Sequence, residues 1–465
     1  MSSATDFLVS LLSKRRQRLL SLYFPNDDGP QAGLLINQLH AEESLSQDFC
    51  YTVTALSDDP HIPLTDVQGR MVCVALQRED GTKRYFNGYC FEFALISVEN
   101  SLASYQMILR PWLAQFSLRH NHRLFHNQNI QAQSKEIFLE SGLSSHVFRI
   151  RDSDPARTFS CQYDESDANY LHRRWEEMGW SYWYEHSMQG HQLVIADSTT
   201  VADSIEGGAS IAWHHVGGSN RIDKISHWKP RRKVVSGKVA HASFDFKSPR
   251  PQQASNTSML KQGKIHQFEV YQYQGLYGFT GGWGGNTTSR VHMEQLSCDA
   301  QLYLAEGNCR KIQPGRWFSL KKQGLEHIAT IDEDETEFFI LGVTHEVSNN
   351  FLNSQGGEAS YSNSVRCIPR KTLWRPLQGF NSRAVVMPGI DTAIVVGPPG
   401  EEIYTDKYGR IKVQFHWDRE GKDDEKSSCW LRVMTPWADK NFGMVALLWG
   451  LKVLFRIGRM IPFRP

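Results

Sequence analysis

The most informative stretch of the chain runs from Gly397 to Arg419 and reads GPPGEEIYTDKYGRIKVQFHWDR. Turn-forming residues occupy Gly397–Gly400 and again Asp406–Gly409. Apolar and polar residues then alternate strictly, which predicts a half-buried strand. Its predicted buried face is Ile411, Val413, Phe415 and Trp417, and its predicted exposed face is Lys412, Gln414, His416 and Asp418.

Further short strands are predicted on both sides of this one. Ala393–Val396 precedes it, and Cys429–Met434 follows as its expected pairing partner. Five or six short strands within about 80 residues are typical of a small Greek-key barrel of the oligonucleotide/oligosaccharide-binding (OB) type. We therefore expect such a barrel in the C-terminal part of the chain.

The preceding part of the chain is also rich in short strands with turn residues between them. Strands are predicted at Phe49–Val53, Met71–Leu76, Arg84–Phe93, Phe338–Leu341 and Val343–Val347, with a hairpin turn at Glu79–Thr82. Strands at this spacing favour barrels or a sandwich.

Two helices interrupt the strands, at Ile130–Ser141 and at Asp164–Met178. The second has a cap candidate in Asp164 or Ser166 and ends at Gly179. One apolar stripe is formed by Ala168, Leu171, Trp175 and Met178, and a hairpin with Trp180, Tyr182 and Tyr184 on one face follows. The predicted fold class is mainly β, a β-rich α+β protein.

Composition excludes several classes of protein. The chain has 465 residues, of which 40% are hydrophobic and 22% charged, as in an ordinary core-forming protein. Its net charge of +1 argues against broad nucleic-acid or anionic-membrane binding. Eight cysteines without a C-x-x-C pair indicate reduced thiols rather than a disulfide scaffold or a zinc site. No apolar run is long enough to span a membrane, and the apolar Phe7–Leu12 precedes the basic Lys14–Arg18, the reverse of a secretory signal.

Catalytic motifs are lacking. The chain contains no G-x-S-x-G elbow, no H-E-x-x-H and no phosphate-binding G-x-x-x-x-G-K-[ST] loop. We interpret the remaining polar clusters as solvated loops or surface, with no catalytic, cofactor or metal site. They are His120 and His122 in a polar loop, His214 and His215 in another, His416 and Asp418, Glu176 and Glu177, the basic loop Lys229–Lys233 and the glycine-rich loop Gly281–Gly285. The basic loop and the N-terminal basic run leave a partner contact open.

Three stretches resemble one family. Gly397–Arg419, continued by SSCWLRV (427–433) and Pro436–Ala438, resembles the barrel signature of VgrG proteins. The sequence EESLSQDF (42–49) with Arg84–Gly88, and Tyr163–Asp167 with Gly179–Trp183, resembles the hub region of that family. The family-motif positions are Gly397, Glu402, Asp406, Gly409, Arg410, Val413, Phe415, Trp417, Asp418, Cys429, Trp430, Arg432, Pro436 and Trp437.

The resemblance implies a spike and hub protein of the type VI secretion system, similar to the hub and spike of contractile phage tails. It implies a homotrimer with two related barrels per chain, stacked on the Hcp tube and followed by an OB-type spike base. A PAAR-type tip would join only a completed spike, and contact with a target membrane would be transient. The implied mechanism is mechanical, without catalysis, cofactor or nucleic acid. The protein would assemble on the cytoplasmic baseplate and leave by the type VI route without a signal peptide.

The resemblance also implies a domain organisation. We expect an N-terminal helix or tail (1–20), a phage-hub-like module (21–380) with an inserted α+β segment at about 110–200, an OB-fold spike base (381–444) and an atypical tail (445–465). The tail has no Asp or Glu, where the family has an acidic, Asp-Pro-containing stretch. Codons that fit Arg456–Pro462 could encode such a stretch in another reading frame, a hypothesis that the nucleotide sequence tests. We therefore expect a truncated or frameshifted gene, an incomplete barrel, poor order over 450–465 and no support of secretion by this form alone.

Three alternatives remain. A prophage contractile-tail baseplate hub would share all these motifs. A nucleic-acid or glycan-binding OB protein would need aromatic side chains on the exposed strand face, where none is predicted. A cell-wall hydrolase would need a catalytic domain, for which no motif is found.

Overall fold

The computed structural model describes residues 18–99, 102–142, 145–213, 223–245, 248–258, 260, 262, 268–276, 279, 284–321, 336–352, 358–386, 391–433 and 452–455. Its first six strands are β1 (Leu20–Tyr23), β2 (Leu35–Ser44), β3 (Cys50–Ser57), β4 (Met71–Gln77), β5 (Lys83–Glu99) and β6 (Leu102–Arg110). They pair in the order β1-β4-β5-β6-β3-β2 and form the first barrel. The predicted strands and the hairpin turn, with Gly81 at φ 84°, are confirmed.

The first barrel is closed by a side chain rather than by strand pairing. β1 and β2 lie side by side without forming a ladder. Asn349 fills this seam: its Oδ1 accepts the N–H groups of Leu19 (3.0 Å) and Leu20 (3.1 Å). Its Nδ2 donates to the carbonyl oxygens of Leu20 (3.2 Å) and Ile36 (2.9 Å). One buried amide therefore satisfies backbone groups of both strands, as burial requires.

The insert, residues 112–196, follows the first barrel. It contains a 3-10 helix (Trp112–Ser117), β7 (His120–Gln128), α1 (Ile130–Leu139), β8 (His146–Arg149), β9 (Arg157–Ser166), α2 (Asp167–Met178), β10 (Ser181–His186) and β11 (His191–Ala196). β7 pairs with β9, and β10 forms the predicted hairpin with β11. The buried side chains of α2 belong to the same apolar core as the first barrel.

Local signals set the ends of α2. Ser166 caps the helix by accepting the N–H of Asn169 (3.2 Å), so the helix begins at Asp167 rather than at Asp164. Gly179 ends it with φ 67°, as predicted. Leu171, Trp175 and Met178 of the predicted stripe are buried and Ala168 packs against them.

The second barrel follows the insert. It is built from β12 (Ser210–Trp213), β13 (Lys224–Arg232), β17 (Gln301–Gly307), β18 (Trp317–Leu320), β19 (Glu337–Ser348) and β20 (Ser360–Pro369). The order β19-β18-β12-β13-β17-β20 closes because β20 pairs again with β19. Between β13 and β17 lie β14 (Lys238–Asp245), β15 (Ser248–Thr257), β16 (Glu269–Leu276) and α3 (Gly285–Ser297).

The two barrels are joined by strand pairing. β19 pairs antiparallel with β2 from Gly342↔Ser44 to Ser348↔Gln38, which makes one continuous twelve-stranded sheet. Backbone hydrogen bonds cross the boundary between the barrels, and the insert shares the core of the first barrel. The two barrels and the insert therefore form one unit that we call the hub.

The C-terminal unit, residues 391–433, contains β21 (Asp391–Val396) and β22 (Lys412–Phe415). β21 pairs with β22 and with β23 (Lys452–Phe455), while Cys429–Val433 contributes a single bridge, Ile411↔Leu431, instead of the predicted partner strand. β23 lies within 450–465, the range for which poor order is expected; that expectation stays a prediction, and the rest of the range lies outside the described residues. A closed OB barrel stays a prediction.

Several local predictions are wrong. His120 and His122 lie on β7 and not in a loop, because pairing with β9 outweighs their polar character. The basic run Lys229–Lys233 lies mostly within β13, with its side chains exposed.

Within the described residues, no helix is long and apolar enough to cross a bilayer. All eight cysteines are free thiols, as predicted.

Candidate functional site

The turn between β2 and β3 brings three parts of the fold together. It belongs to the EESLSQDF sequence. The N–H of Leu45 donates to the carbonyl oxygen of Leu341 in β19 (2.7 Å), and the N–H of Ser46 donates to that of Tyr182 in β10 (2.6 Å). The Oγ of Ser46, a residue with φ 54°, accepts the N–H of Tyr182 (3.1 Å). The turn therefore contacts the second barrel and the insert at once.

A buried ion pair lies at the seam between the barrels. Glu43 on β2 pairs with Arg84 on β5, accepts the hydroxyl of Tyr51 (3.0 Å) and lies 3.3 Å from Nε2 of His345 on β19. Burial acts to raise the pKa of Glu43, but Arg84, His345 and His186 outweigh it and lower the pKa to about 2. The carboxylate is therefore ionised and held from several elements.

The histidines beside this ion pair are neutral. Burial lowers the pKa of His186 to about 4 and that of His345 to about 4. Glu43 is already neutralised by Arg84, so a protonated histidine here would lack its own counter-ion. The seam thus holds one negative charge, one positive charge and two neutral imidazoles.

Asp48, at the end of the same turn, has a different environment. It accepts the hydroxyl groups of Tyr184 (2.5 Å) and Tyr182 (3.4 Å). Burial raises the pKa of Asp48 to about 6, against the lowering effect of the two tyrosines. The turn therefore joins barrel and insert through polar contacts in which the two tyrosines are buried and Asp48 is half-buried.

The linker, residues 370–390, is clamped where it leaves the second barrel. Arg375 is 2% exposed; its Nε donates to Glu294 of α3 (2.6 Å) and one terminal nitrogen donates to the carbonyl oxygen of Gly179 (2.9 Å). Gln295 of α3 donates to the carbonyl oxygens of Pro376 (2.6 Å) and Glu176 (2.9 Å). Two helices thus define the path of this part of the linker.

The solvated face predicted for Glu176 and Glu177 is wrong. Glu176 is 2% exposed and accepts hydrogen bonds from linker residues 379–382. Glu177 accepts from Arg157 (2.9 Å) and Arg174 (3.2 Å). The apolar stripe reports one buried face of α2, but the linker covers a second, polar face, which periodicity does not reveal.

The motif residues of the C-terminal unit mostly shape turns and its core. The carboxylate of Asp406 accepts Nε of Arg410 (2.6 Å) and the N–H of Tyr408 (2.9 Å), and Gly409 has φ 68°. A Cβ on Gly397 would come within 2.8 Å of Tyr404, whose ring packs on Trp430 at 4.9 Å. Val413 and Phe415 are buried, Trp417, Asp418 and Cys429 are half-buried, Glu402 and Arg432 are exposed, and Pro436 and Trp437 lie outside the described residues.

Gln414 departs from the predicted alternation. It is buried rather than exposed, because the strand ends at Phe415 and the chain turns back over it. Its Nε2 donates to the carbonyl oxygen of Asp418 (3.2 Å), and its Oε1 accepts the N–H of Asp423 (3.3 Å). The amide thus stabilises the turn that replaces the predicted end of the strand.

The core of the C-terminal unit is shared with the insert. Leu124 of β7 and Phe159 and Cys161 of β9 pack in one cluster with Ala393, Val395, Ile411, Val413 and Phe415. At its edge, Nε of Arg123 lies 3.1 Å from Glu420, and the ring of His122 lies 5.6 Å from Trp417. The only sequence signal was the apolar character of Leu124 and Phe159, which does not identify a distant partner.

The other candidate clusters do not form a site. His122 packs on Tyr163 at 4.9 Å. Across the part of the chain that the structure describes, no three His, Cys, Asp or Glu side chains converge to hold a metal ion. The pair His214–His215 and Gly281–Trp283 of the glycine-rich loop lie outside the described residues.

Comparison with known families identifies the class of protein. The family model of the phage tail baseplate hub (GPD) matches the sequence over residues 42–351, a range that covers the insert and most of both barrels. The chain therefore belongs to the phage tail baseplate hub family, and its strand-rich fold is that of hub and spike proteins.

Its relatives are VgrG proteins, as the sequence predicts. The spike protein VgrG1b of Pseudomonas aeruginosa is 29% identical over 417 residues, covering 89% of this chain and 55% of that protein. The actin cross-linking toxin VgrG1 of Vibrio cholerae is 26% identical over 434 residues, covering 89% of this chain and 38% of the toxin. A type VI secretion component of Escherichia coli, described as structurally similar to the T4 tail proteins gp27 and gp5, shares the fold with a TM-score of 0.65 and 17% identity, covering 96% of this chain and 98% of that one. The chain thus spans just over half the length of VgrG1b.

Proposed function

We propose that this chain is the hub and spike-base subunit of a type VI secretion system, a homotrimer that caps the Hcp tube. The observation that carries the proposal is the joining of two six-stranded barrels through β2 and β19. Two barrels per chain and three chains make six barrels in a ring, a geometry that suits a tube end built from rings of six. The similarity to VgrG spike proteins supports the same function.

The proposed function is mechanical. Load on the C-terminal unit would reach the hub through the shared core, the clamped linker and the ladder between the barrels, none of which requires chemistry. The chain would assemble on the baseplate in the cytoplasm, leave by the type VI route and contact a target membrane only in passing. A PAAR-type tip would bind only where a spike is completed, and effectors or adaptors are left open.

Mass in solution is the first test. Light scattering of the pure protein should give about 160 kDa, three times the chain mass of 53.2 kDa. Pre-formed Hcp tubes should then carry the trimer to the pellet in sedimentation, whereas unassembled Hcp should not. A monomer at tens of micromolar, or a trimer that does not sediment with tubes, contradicts the proposal.

A prophage baseplate hub is the second candidate, because residues 42–351 match the family of phage tail baseplate hubs. It predicts the same trimer on a different tube. Capsid and tape-measure genes beside this gene, together with sedimentation on a phage tail tube instead of Hcp, would establish this alternative.

We further propose that the described residues catalyse no reaction. The match to the actin cross-linking toxin covers 38% of that protein, which leaves most of the toxin outside the shared hub. Assay of the pure chain on peptidoglycan and on actin tests this proposal, since turnover of either substrate would contradict it.

A further inference from the structure

Glu176 has an unusual position for a carboxylate. It lies on α2, 2% exposed, and none of the described residues forms an ion pair with it. A buried charge is costly unless hydrogen bonds replace its water, so its partners must satisfy it fully.

Those partners all come from one short segment of the linker. Oε1 accepts the N–H groups of Asn381 (2.6 Å) and Ser382 (3.2 Å). Oε2 accepts the N–H of Gly379 (2.8 Å) and the hydroxyl of Ser382 (2.6 Å). Gly379 has φ 86°, a conformation that suits glycine, so the backbone wraps around the carboxylate as a small anion-binding nest.

Two flanking contacts hold the same segment. The side chain of Asn381 donates to the carbonyl oxygen of Ser46, in the turn that also contacts both barrels and the insert. The N–H of Arg383 donates to Oδ1 of Asn169 on α2 (2.7 Å), and Asn169 donates back to the carbonyl oxygen of Arg383 (3.2 Å). The segment therefore follows the surface of α2 from Glu176 to Asn169, about two helical turns, before the chain continues toward the C-terminal unit.

We propose that Glu176 is a positioning residue, a latch whose charge holds the linker against α2 and so couples the C-terminal unit to the hub. The contacts of the latch do not depend on the proposed function; only its role in transmitting load from the C-terminal unit to the hub rests on that function. The proposal requires a carboxylate, because each of its two oxygens accepts a backbone N–H of the linker. A glutamine would place its NH2 group against one of these N–H donors in either orientation of the amide. The neighbouring Glu177 pairs with Arg157 and Arg174 of the insert, so it supplies a control on the same helix.

The experiment compares the full chain, Glu176→Gln and Glu177→Gln by hydrogen exchange and limited trypsin digestion. In Glu176→Gln, the amides of 379, 381 and 382 should exchange roughly tenfold faster, because charged hydrogen bonds are lost. Arg383 directly follows the segment that binds Glu176, and it is exposed to solvent. Tryptic cleavage after Arg383 should accelerate by a similar factor. Glu177→Gln should lower the unfolding temperature of the hub while leaving exchange at 379–382 unchanged.

Ser382→Ala keeps the test decisive if Glu176→Gln does not fold. It removes only the 2.6 Å hydroxyl contact and should raise exchange at 379 and 381 about threefold. Wild-type exchange at 379–382 in both variants, or equal acceleration in Glu177→Gln, overturns the latch. Because all readouts use the isolated chain, a monomeric protein with a working latch would contradict only the proposed trimer.

Discussion

The hub and the C-terminal unit build their cores in different ways. The second barrel packs side chains from its own part of the chain, such as Tyr303, Phe318 and Phe338, around a closed ring of strands. The C-terminal unit instead borrows Leu124 and Phe159 from the insert, far away in the sequence.

The difference follows from size. A unit of a few dozen residues buries too little apolar area to be stable by itself, whereas a six-stranded barrel within a larger module does not face that limit. The shared core therefore does two things at once: it completes a small sheet and it fixes that sheet to the hub. The connection between hub and spike base is thus a packed interface as well as a linker.

The largest expected effect comes from charging the shared core. Phe415→Asp places an unpaired carboxylate among Leu124, Phe159 and Val413, at a cost of about 4 kcal/mol. Exchange protection should disappear across 391–433 while both barrels keep theirs. His416→Asp, at the exposed neighbouring position, should behave as wild type. Equal loss of soluble protein in both variants would refute the burial of Phe415.

Lowering the pH should destabilise the hub before it destabilises the C-terminal unit. The pKa values of His186 and His345 are about 4, against 6.5 in the unfolded chain, so their contribution is complete above about pH 6.5 and is lost as the pH falls to 4. Glu43, at about 2 against 4.5, adds a loss below pH 4.5. Asp48, raised to about 6 from 3.8, favours folding as the pH falls and offsets part of the loss.

We expect these groups together to lower the free energy of unfolding of the hub by about 3 kcal/mol between pH 7 and pH 4.5. Burial also lowers the pKa of His172 to about 4 and that of His241 to about 4, which adds to the loss. Denaturant titrations at several pH values measure it. His345→Asn removes one titrating group and should flatten the slope. The C-terminal unit has a single histidine, the exposed His416, so its exchange protection should depend less on pH. A hub equally stable at both pH values is incompatible with neutral buried histidines.

Two neighbours on β7 separate the two cores. Leu124 faces the C-terminal unit, and Phe125 faces Tyr170 in the core of the first barrel and insert, with ring centroids 5.2 Å apart. Leu124→Ala should cost about 2.5 kcal/mol and increase exchange in 391–433, although it lies in the insert. Phe125→Ala should instead loosen the hub. If both variants affect the same segment, the two cores are not distinct.

The smallest effect concerns closure of the first barrel. Asn349→Ala removes the side-chain contacts between β1 and β2, at a cost of about 1.5 kcal/mol. Exchange should rise at the amides of Leu19 and Leu20 and stay unchanged in the second barrel, which closes through β19 and β20. A uniform rise over both barrels would mean that they unfold as one cooperative unit.

Much of the fold was predictable where the signal is local. The cap at Ser166, the end at Gly179 and the Tyr182–Tyr184 hairpin all follow from residues within one or two turns of each other. The strands of the first barrel were predictable for the same reason, since alternation reports a face of a strand wherever that face is buried.

The candidate site was predictable only in part. EESLSQDF was recognised as characteristic of the hub region, but not as the contact of Ser46 with Tyr182 or of Glu43 with His345. The sequence predicts that Glu176 and Gln414 are exposed, because each is a polar residue on the side opposite a predicted apolar face. The apolar faces of α2 and β22 are buried as predicted, but both polar residues are buried as well. In each case the residue that buries the side chain is supplied by a turn or linker without periodicity.

The sequence by itself determined the strands of the first barrel, the helix α2, the mainly β class and the family, because these depend on local periodicity and on a long specific motif. Only the tertiary structure decided which elements share a core, how each barrel closes and which carboxylates are buried. Those features depend on contacts between residues far apart in the chain, such as Leu124 with Phe415 and Glu176 with Ser382. Burial of a polar group is stable only when a distant segment supplies its hydrogen bonds, and no local pattern encodes that partner.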